Sequence, residues 1–118
     1  MIFDAGVFIA LENESQRRVV VALVDQLLSE SAPPRTTEAV LAQAWRDPAR
    51  QVAMSRLVKA TVSYPLSDPK LIGVRCKEAG TSDIVDADLS VWGEVLDDVI
   101  VTTDPIDMAD LGARHVAL

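Results

Sequence analysis

The sequence predicts an α/β fold built around a short parallel sheet. Two observations carry that expectation. Apolar positions at helical spacing alternate along the chain with short runs rich in β-branched residues. Those runs are mostly apolar at consecutive positions, the pattern of strands covered on both faces. With 118 residues, 49% of them apolar, the chain reads as one domain spanning 1–118 with enough apolar mass for a core.

The elements follow in order. Ile2 and Phe3 start a strand that ends at Asp4. Gly6 allows a tight turn, and Val7 to Leu11 make one or two helical turns. Ser15 is the expected N-cap of a helix holding Val19, Val20, Leu23, Val24, Leu27 and Leu28 at helical spacing. Pro33-Pro34 end it, and a very short strand follows over 32–36. Thr37 caps a helix with Glu38, Val40, Leu41 and Trp45. Asp47-Pro48 restart a helix, Asp as cap and Pro at the first helical position, which carries Val52, Leu57 and Val58 inward. Val62, Tyr64 and Leu66 alternate as an edge strand, since Pro65 is tolerated only there. Asp68-Pro69 open a helix that Gly80 stops. Thr81 or Ser82 caps the next, with Ile84, Val85, Leu89, Val91, Trp92 and Val95. Val99 to Val101 form a strand, Pro105 to Leu111 a short helix closed by Gly112, and residues 115–118 a final strand.

Composition excludes several chemistries. One cysteine, Cys76, and one histidine, His115, rule out a disulfide framework and a thiolate or multi-histidine zinc site. Aromatics at 4% do not make a stacking platform for single strands. No glycine-rich phosphate loop follows the first strand. No apolar stretch reaches the roughly 18 residues of a membrane span, and the apolar start is interrupted at Asp4 with no basic residues before it. The expectation is a cytoplasmic chain without membrane contact. Trp45, Trp92, Met54 and Met108 read as core or interface packing, Cys76 as a small buried residue and His115 as structural.

Charge is unevenly distributed. The net charge of −7 argues against a general nucleic-acid coat. From Arg46 to Lys77, seven basic residues face two acidic ones, a balance of +5; from Gly80 onward, nine acidic residues face Arg114, a balance of −8. Two solvated faces explain this, and so does a polyanion held by the basic part while a metal sits in the acidic part.

Ligands of open α/β sheets bind beyond the carboxyl ends of the strands. Asp4 and Asp104 end two expected strands there, and Glu38 and Asp86 sit in or near the first turns of two helices. Each has a structural reading. Glu38 and Asp86 favour the positive end of a helix, and Asp104 caps the helix that Pro105 begins. Asp4 interrupts an apolar run, and burying it unpaired is costly. If the four meet, a divalent cation offsets their repulsion. All-oxygen ligands suit Mg2+ or Mn2+, and phosphodiester hydrolysis is the matching chemistry.

Four segments in this order resemble the PIN-domain ribonucleases, and in particular the VapC-type toxins of type II toxin–antitoxin (VapBC) systems. They are MIFDAGVFIALEN, TTEAVLAQAW, GTSDIVDADLSVWG and the run from Val99 to Asp107. The resemblance covers essentially the whole chain. It implies a PIN-like three-layer α/β/α fold with a short central parallel sheet of four to five strands. Asp4, Glu38, Asp86 and Asp104 match the family's metal-binding carboxylates, and Thr103 matches its hydroxyl residue beside the last aspartate. Asp107 matches a frequent extra acidic position, and Asp83 is an alternative to Asp86. Where the family often has serine or threonine two residues after the first aspartate, this chain has Gly6, which removes a polar contact.

The implied activity is a Mg2+- or Mn2+-dependent endoribonuclease. It leaves a 5′-phosphate and a 3′-hydroxyl, cuts transfer or ribosomal RNA and halts translation. The implied partners are a VapB-like antitoxin that fills the active-site groove, a second copy in a homodimer, and operator DNA reached only through the antitoxin. Within that frame Arg46, Arg50, Arg56 and Lys59 are RNA-contacting candidates, with Arg46 and Arg50 on one helical face. The competing reading is a catalytically weak or inactive PIN-like module in a regulatory complex. A response-regulator-like domain fits less well, because no lysine ends the last expected strand.

Overall fold

Strand β1 (Ile2–Phe3) lies at the centre of a five-stranded, all-parallel sheet of order β3-β2-β1-β4-β5. This is the architecture of a computed structural model that describes residues 1–47 and 51–118. The other strands are β2 (Arg35–Thr37), β3 (Val62–Tyr64), β4 (Ile100–Thr102) and β5 (His115–Ala117). Ile2 pairs with Arg35 on one side and Ile100 on the other. Helices α1 (Ala5–Ile9), α2 (Glu14–Ser29), α3 (Glu38–Ala44), α4 (Val52–Ala60), α5 (Pro69–Ala79), α6 (Ile84–Val95) and α7 (Pro105–Asp110) flank the sheet. A 3₁₀ turn, Ala10–Glu12, joins α1 to α2.

Every residue of β1 and β4 is buried, which requires cover on both faces of the sheet. The edge strand β3 is mostly exposed, as its neighbour Pro65 suggested. One core cluster joins Ile2, Phe3, Phe8, Val20, Val40, Met54, Leu57, Leu89, Ile100 and Met108. Phe3 and Phe8 meet edge to face at 6.3 Å. A smaller cluster, Ile72, Ala87 and Val91, packs α5 on α6.

Local chemistry sets several element ends as expected. Asp68 caps α5 through the N–H groups of Lys70 and Leu71, Pro69 sits in the first turn, and Gly80 closes it in the left-handed region at φ 70°. Thr37 caps α3 by accepting from Val40 N–H at 3.1 Å. Other ends differ. Asn13, not Ser15, caps α2, and takes both the Ser15 N–H and hydroxyl. Asp83, not Thr81 or Ser82, caps α6.

Helix α4 begins at Val52 rather than at Asp47-Pro48, and its N-cap is Gln51. The Gln51 side chain explains the late start. Its Oε1 accepts from the N–H of Arg46 and Asp47, and its Nε2 donates to Ala44 O and Glu12. The expected roles of Pro48 and Arg50 lie outside the described residues.

Four expected core assignments are corrected. Val19 and Leu28 of α2 face solvent, as does Val52, which is 61% exposed. Trp45 is 40% exposed, not core. Trp92 is half-buried, lies 4.8 Å from the Tyr64 ring and donates to Pro65 O at 2.9 Å. His115 Nδ1 lies 2.8 Å from Ala113 O, a structural contact. No helix among the described residues is long and apolar enough to cross a membrane.

Candidate active site

Three neighbouring strands of the parallel sheet, β2, β1 and β4, each run into a carboxylate at their C-terminal ends: Glu38, Asp4 and Asp104. From β1 the chain first moves outward through β2 to β3, then returns to the other side as β4. The boundary between β1 and β4 is therefore the switch point at which α/β sheets open a crevice.

Asp4 is the anchor. It is only 5% exposed and is fully engaged. One oxygen, Oδ1, accepts from Val7 N–H at 3.1 Å and so caps α1. The other, Oδ2, accepts from the Thr102 hydroxyl and from Thr103 N–H at 3.2 Å. Burial pushes Asp4 above the usual carboxylate range, while these hydrogen bonds pull it down.

The hydroxyl that orders Asp4 is that of Thr102. Thr102 also accepts from Asp104 N–H at 2.8 Å. Thr103 contributes its backbone N–H to Asp4, and its side chain is exposed. Asp104 makes no side-chain cap to α7, so the structural reading of that carboxylate fails. Its neighbouring carboxylate instead pushes Asp107 above its ordinary value.

Asp86, in the first turn of α6, completes the group. Burial pushes it up to about 7, followed by the charges of Asp83, Asp4 and Asp107. Asp83 is both neighbour and cap, since its Oδ1 accepts from Asp86 N–H at 3.0 Å. Asp4, Asp83, Asp86, Asp104 and Asp107 are thus one electrostatically linked set. Glu38 is exposed at the same sheet edge. Among the described residues, no three Asp, Glu, His or Cys side chains stand close enough, as placed, to hold an ion.

The basic candidates separate. Arg56 and Lys59 are exposed on α4, three residues apart on one face. Arg46 is exposed in irregular backbone before α4, and its expected pairing with Arg50 lies outside the described residues. Arg56 and Arg17 line two adjoining cavities of about 470 and 460 Å³ between α2 and α4. Arg17 was not singled out in the sequence, because its helix reads there as an amphipathic element only. It is held by a bond from Nε to Leu11 O at 2.7 Å.

The chain superposes on a chain of a solved structure, FitAB bound to an IR36 DNA fragment. The TM-score is 0.69, and the match covers 98% of this chain and 93% of that one at 12% identity. The fold is PIN-like. At that identity the likeness is one of architecture. No protein-family model matches the sequence, and no curated protein does. A PIN-like sheet with its carboxylates at the β1–β4 switch point agrees with the resemblance read from the four sequence segments.

Proposed function

We propose that this protein is a divalent-cation-dependent endoribonuclease, a toxin of the VapC type held in check by a VapB-like antitoxin. The observation that carries the reading is the carboxylate field at the switch point: burial and neighbouring carboxylates lift Asp86 to about 7. Such a field is costly without a counter-ion. The donor set fits Mg2+ or Mn2+ in kind, because it offers oxygen ligands only, and in charge.

Asp4, Asp86 and Asp104 are the residues that would hold the ion, with Glu38 from the next strand end and Asp107 or Asp83 as outer carboxylates. A bound divalent ion supplies charge neutralisation at the scissile phosphate and acidifies a water. The chain does the rest. Thr102 and Thr103 fix the orientation of Asp4, and Asp86 holds or releases a proton near neutral pH. Arg46, Arg56 and Lys59 attract RNA phosphates, each adding salt-dependent affinity. The fold likeness to a chain of the DNA-bound FitAB assembly supports a partner protein that carries the contact with operator DNA. A homodimer in the cytoplasm belongs to the same reading.

A second reading has one observation in its favour: the carboxylates as placed do not close on an ion. It makes the chain a catalytically weak PIN-like binding module. Cleavage of total RNA by antitoxin-free protein separates the two, run with Mn2+, Mg2+ and EDTA beside Asp104→Asn. The nuclease reading expects discrete products with metal, none with EDTA and near-complete loss in the variant. No cleavage by folded, Mn2+-binding protein favours the module. Products that persist in EDTA and in the variant refute the carboxylate mechanism.

A further inference from the structure

Gly6 is the second residue of α1, two positions after Asp4. Its backbone does not call for glycine, since the only positive-φ glycines among the described residues are Gly80 and Gly112. Glycine is also a poor helix former. Space is the reason for it. A Cβ at position 6 would lie 1.7 Å from Thr103 Oγ1, 2.8 Å from Thr103 Cβ and 2.9 Å from Thr103 Cγ2. Gly73, by contrast, faces nothing within 4 Å.

Rotation about χ1 moves Oγ1 and Cγ2 but leaves the Thr103 Cβ where it is. Relief of that contact needs the backbone to part from 2.8 Å toward the 3.4 Å at which ordinary contact begins. The backbone in question is the one that donates to Asp4. The Thr103 N–H reaches Asp4 Oδ2 at 3.2 Å, already at the long end of the hydrogen-bond range. A displacement of that size breaks it. The neighbouring bond from Asp104 N–H to Thr102 Oγ1 lies on the same stretch of chain.

We propose that Gly6 is a positioning residue of the carboxylate site, matched sterically to Thr103. The missing side chain lets the β4–α7 connection lie directly on the first turn of α1, and that closeness sets the placement of Asp4 relative to Asp104. The function assigned to the pair rests on the metal-dependent reading above. The steric pairing does not.

The experiment measures two properties of Gly6→Ala, Thr103→Gly and the double variant Gly6→Ala/Thr103→Gly. The first is hydrogen exchange at the Thr103 and Asp104 amides in metal-free protein. The second is Mn2+ affinity by calorimetric titration. Gly6→Ala should accelerate exchange at both amides by about tenfold or more and weaken Mn2+ by about tenfold, the usual size of an outer-shell defect. Protection elsewhere in β1 and β4 should be unchanged. The double variant should match Thr103→Gly alone in both measurements. A Gly6→Ala protein that fails to fold while the double variant folds supports the pairing equally. Wild-type exchange in Gly6→Ala, or a double variant no better than Gly6→Ala in folding or exchange, overturns it. Absence of Mn2+ binding by wild type refutes the metal reading instead, and the exchange data then decide the pairing by themselves.

Discussion

The Thr102 hydroxyl joins Asp4 to the backbone of Asp104. It donates to Asp4 Oδ2 and accepts from Asp104 N–H at 2.8 Å, so one buried oxygen ties the ends of β1 and β4 together. Thr102→Val keeps the shape and removes the oxygen. It leaves a buried carboxylate oxygen short of a donor and an N–H without an acceptor, and should cost about 1–3 kcal/mol in urea unfolding. Thr102→Ser should recover most of that, because it restores the oxygen. Equal stability of the valine variant and wild type would show that the bridge contributes nothing.

Asp86 links the site to pH. Its folded-state pKa is raised from 3.8 to about 7, by burial first and then by Asp83, Asp4 and Asp107. Between those values the folded chain keeps a proton that the unfolded chain has released. Stability therefore falls as pH rises from about 4 through about 7, and is level above. Asp86→Asn should be more stable than wild type at pH 8 by an amount of order 1 kcal/mol, discounted because the group is partly solvated. The two proteins should converge below pH 4. Mn2+ must displace the same proton, so its affinity should rise about fivefold from pH 6 to 7, about tenfold by pH 8, and level off above. A flat affinity across that range would remove Asp86 from the ligand set.

Asp83 has two roles that substitution can part. As a cap it needs only an acceptor, which Asn supplies; as a charge it raises Asp86. Asp83→Asn should keep the thermal midpoint near pH 4, raise it at pH 8, and lower the Asp86 pKa, visible as a shift of the Mn2+ pH profile to lower pH. Asp83→Ala should do the same and also lose about 1 kcal/mol of stability. A large loss of Mn2+ affinity in Asp83→Asn at pH 8 would make Asp83, not Asp86, the ligand on α6.

Much of this was legible in the sequence where the cause is local. Asp68-Pro69 and Gly80 bracket α5 by cap, fixed φ and left-handed turn, all readable from the residues themselves. The same Asp-Pro device at Asp47 did not start α4, because Gln51 reaches back to Arg46, Asp47 and Ala44 and across to Glu12. A contact with a residue 39 positions away leaves no local trace. The pair Thr102-Thr103 offers two adjacent hydroxyls that a strand points to opposite sides. Only the register of β4 beside β1 and β5 decides which one meets Asp4. The sequence also read Gly6 as a lost polar contact. Its neighbour Thr103 lies 97 residues on, so the steric reason for it appears only in the fold.

A last prediction concerns Asp88. It is fully buried on α6, and its Oδ1 accepts from Ser67 N–H at 2.8 Å and from the Ser67 hydroxyl at 2.6 Å. Its Oδ2 has no hydrogen-bond partner among the described residues. The β3–α5 connection is thus clamped to α6 by Asp88, and again one turn later by Trp92 on Pro65 O. Removing the carboxylate strands two donors, so Asp88→Ala should cost about 2–4 kcal/mol in chemical denaturation. Asp88→Asn should be tolerated far better. The amide oxygen still accepts from Ser67, so both Ser67 donors keep their partner. If Asn proves as damaging as Ala, the negative charge itself is required. A buried water is then the donor that Oδ2 requires.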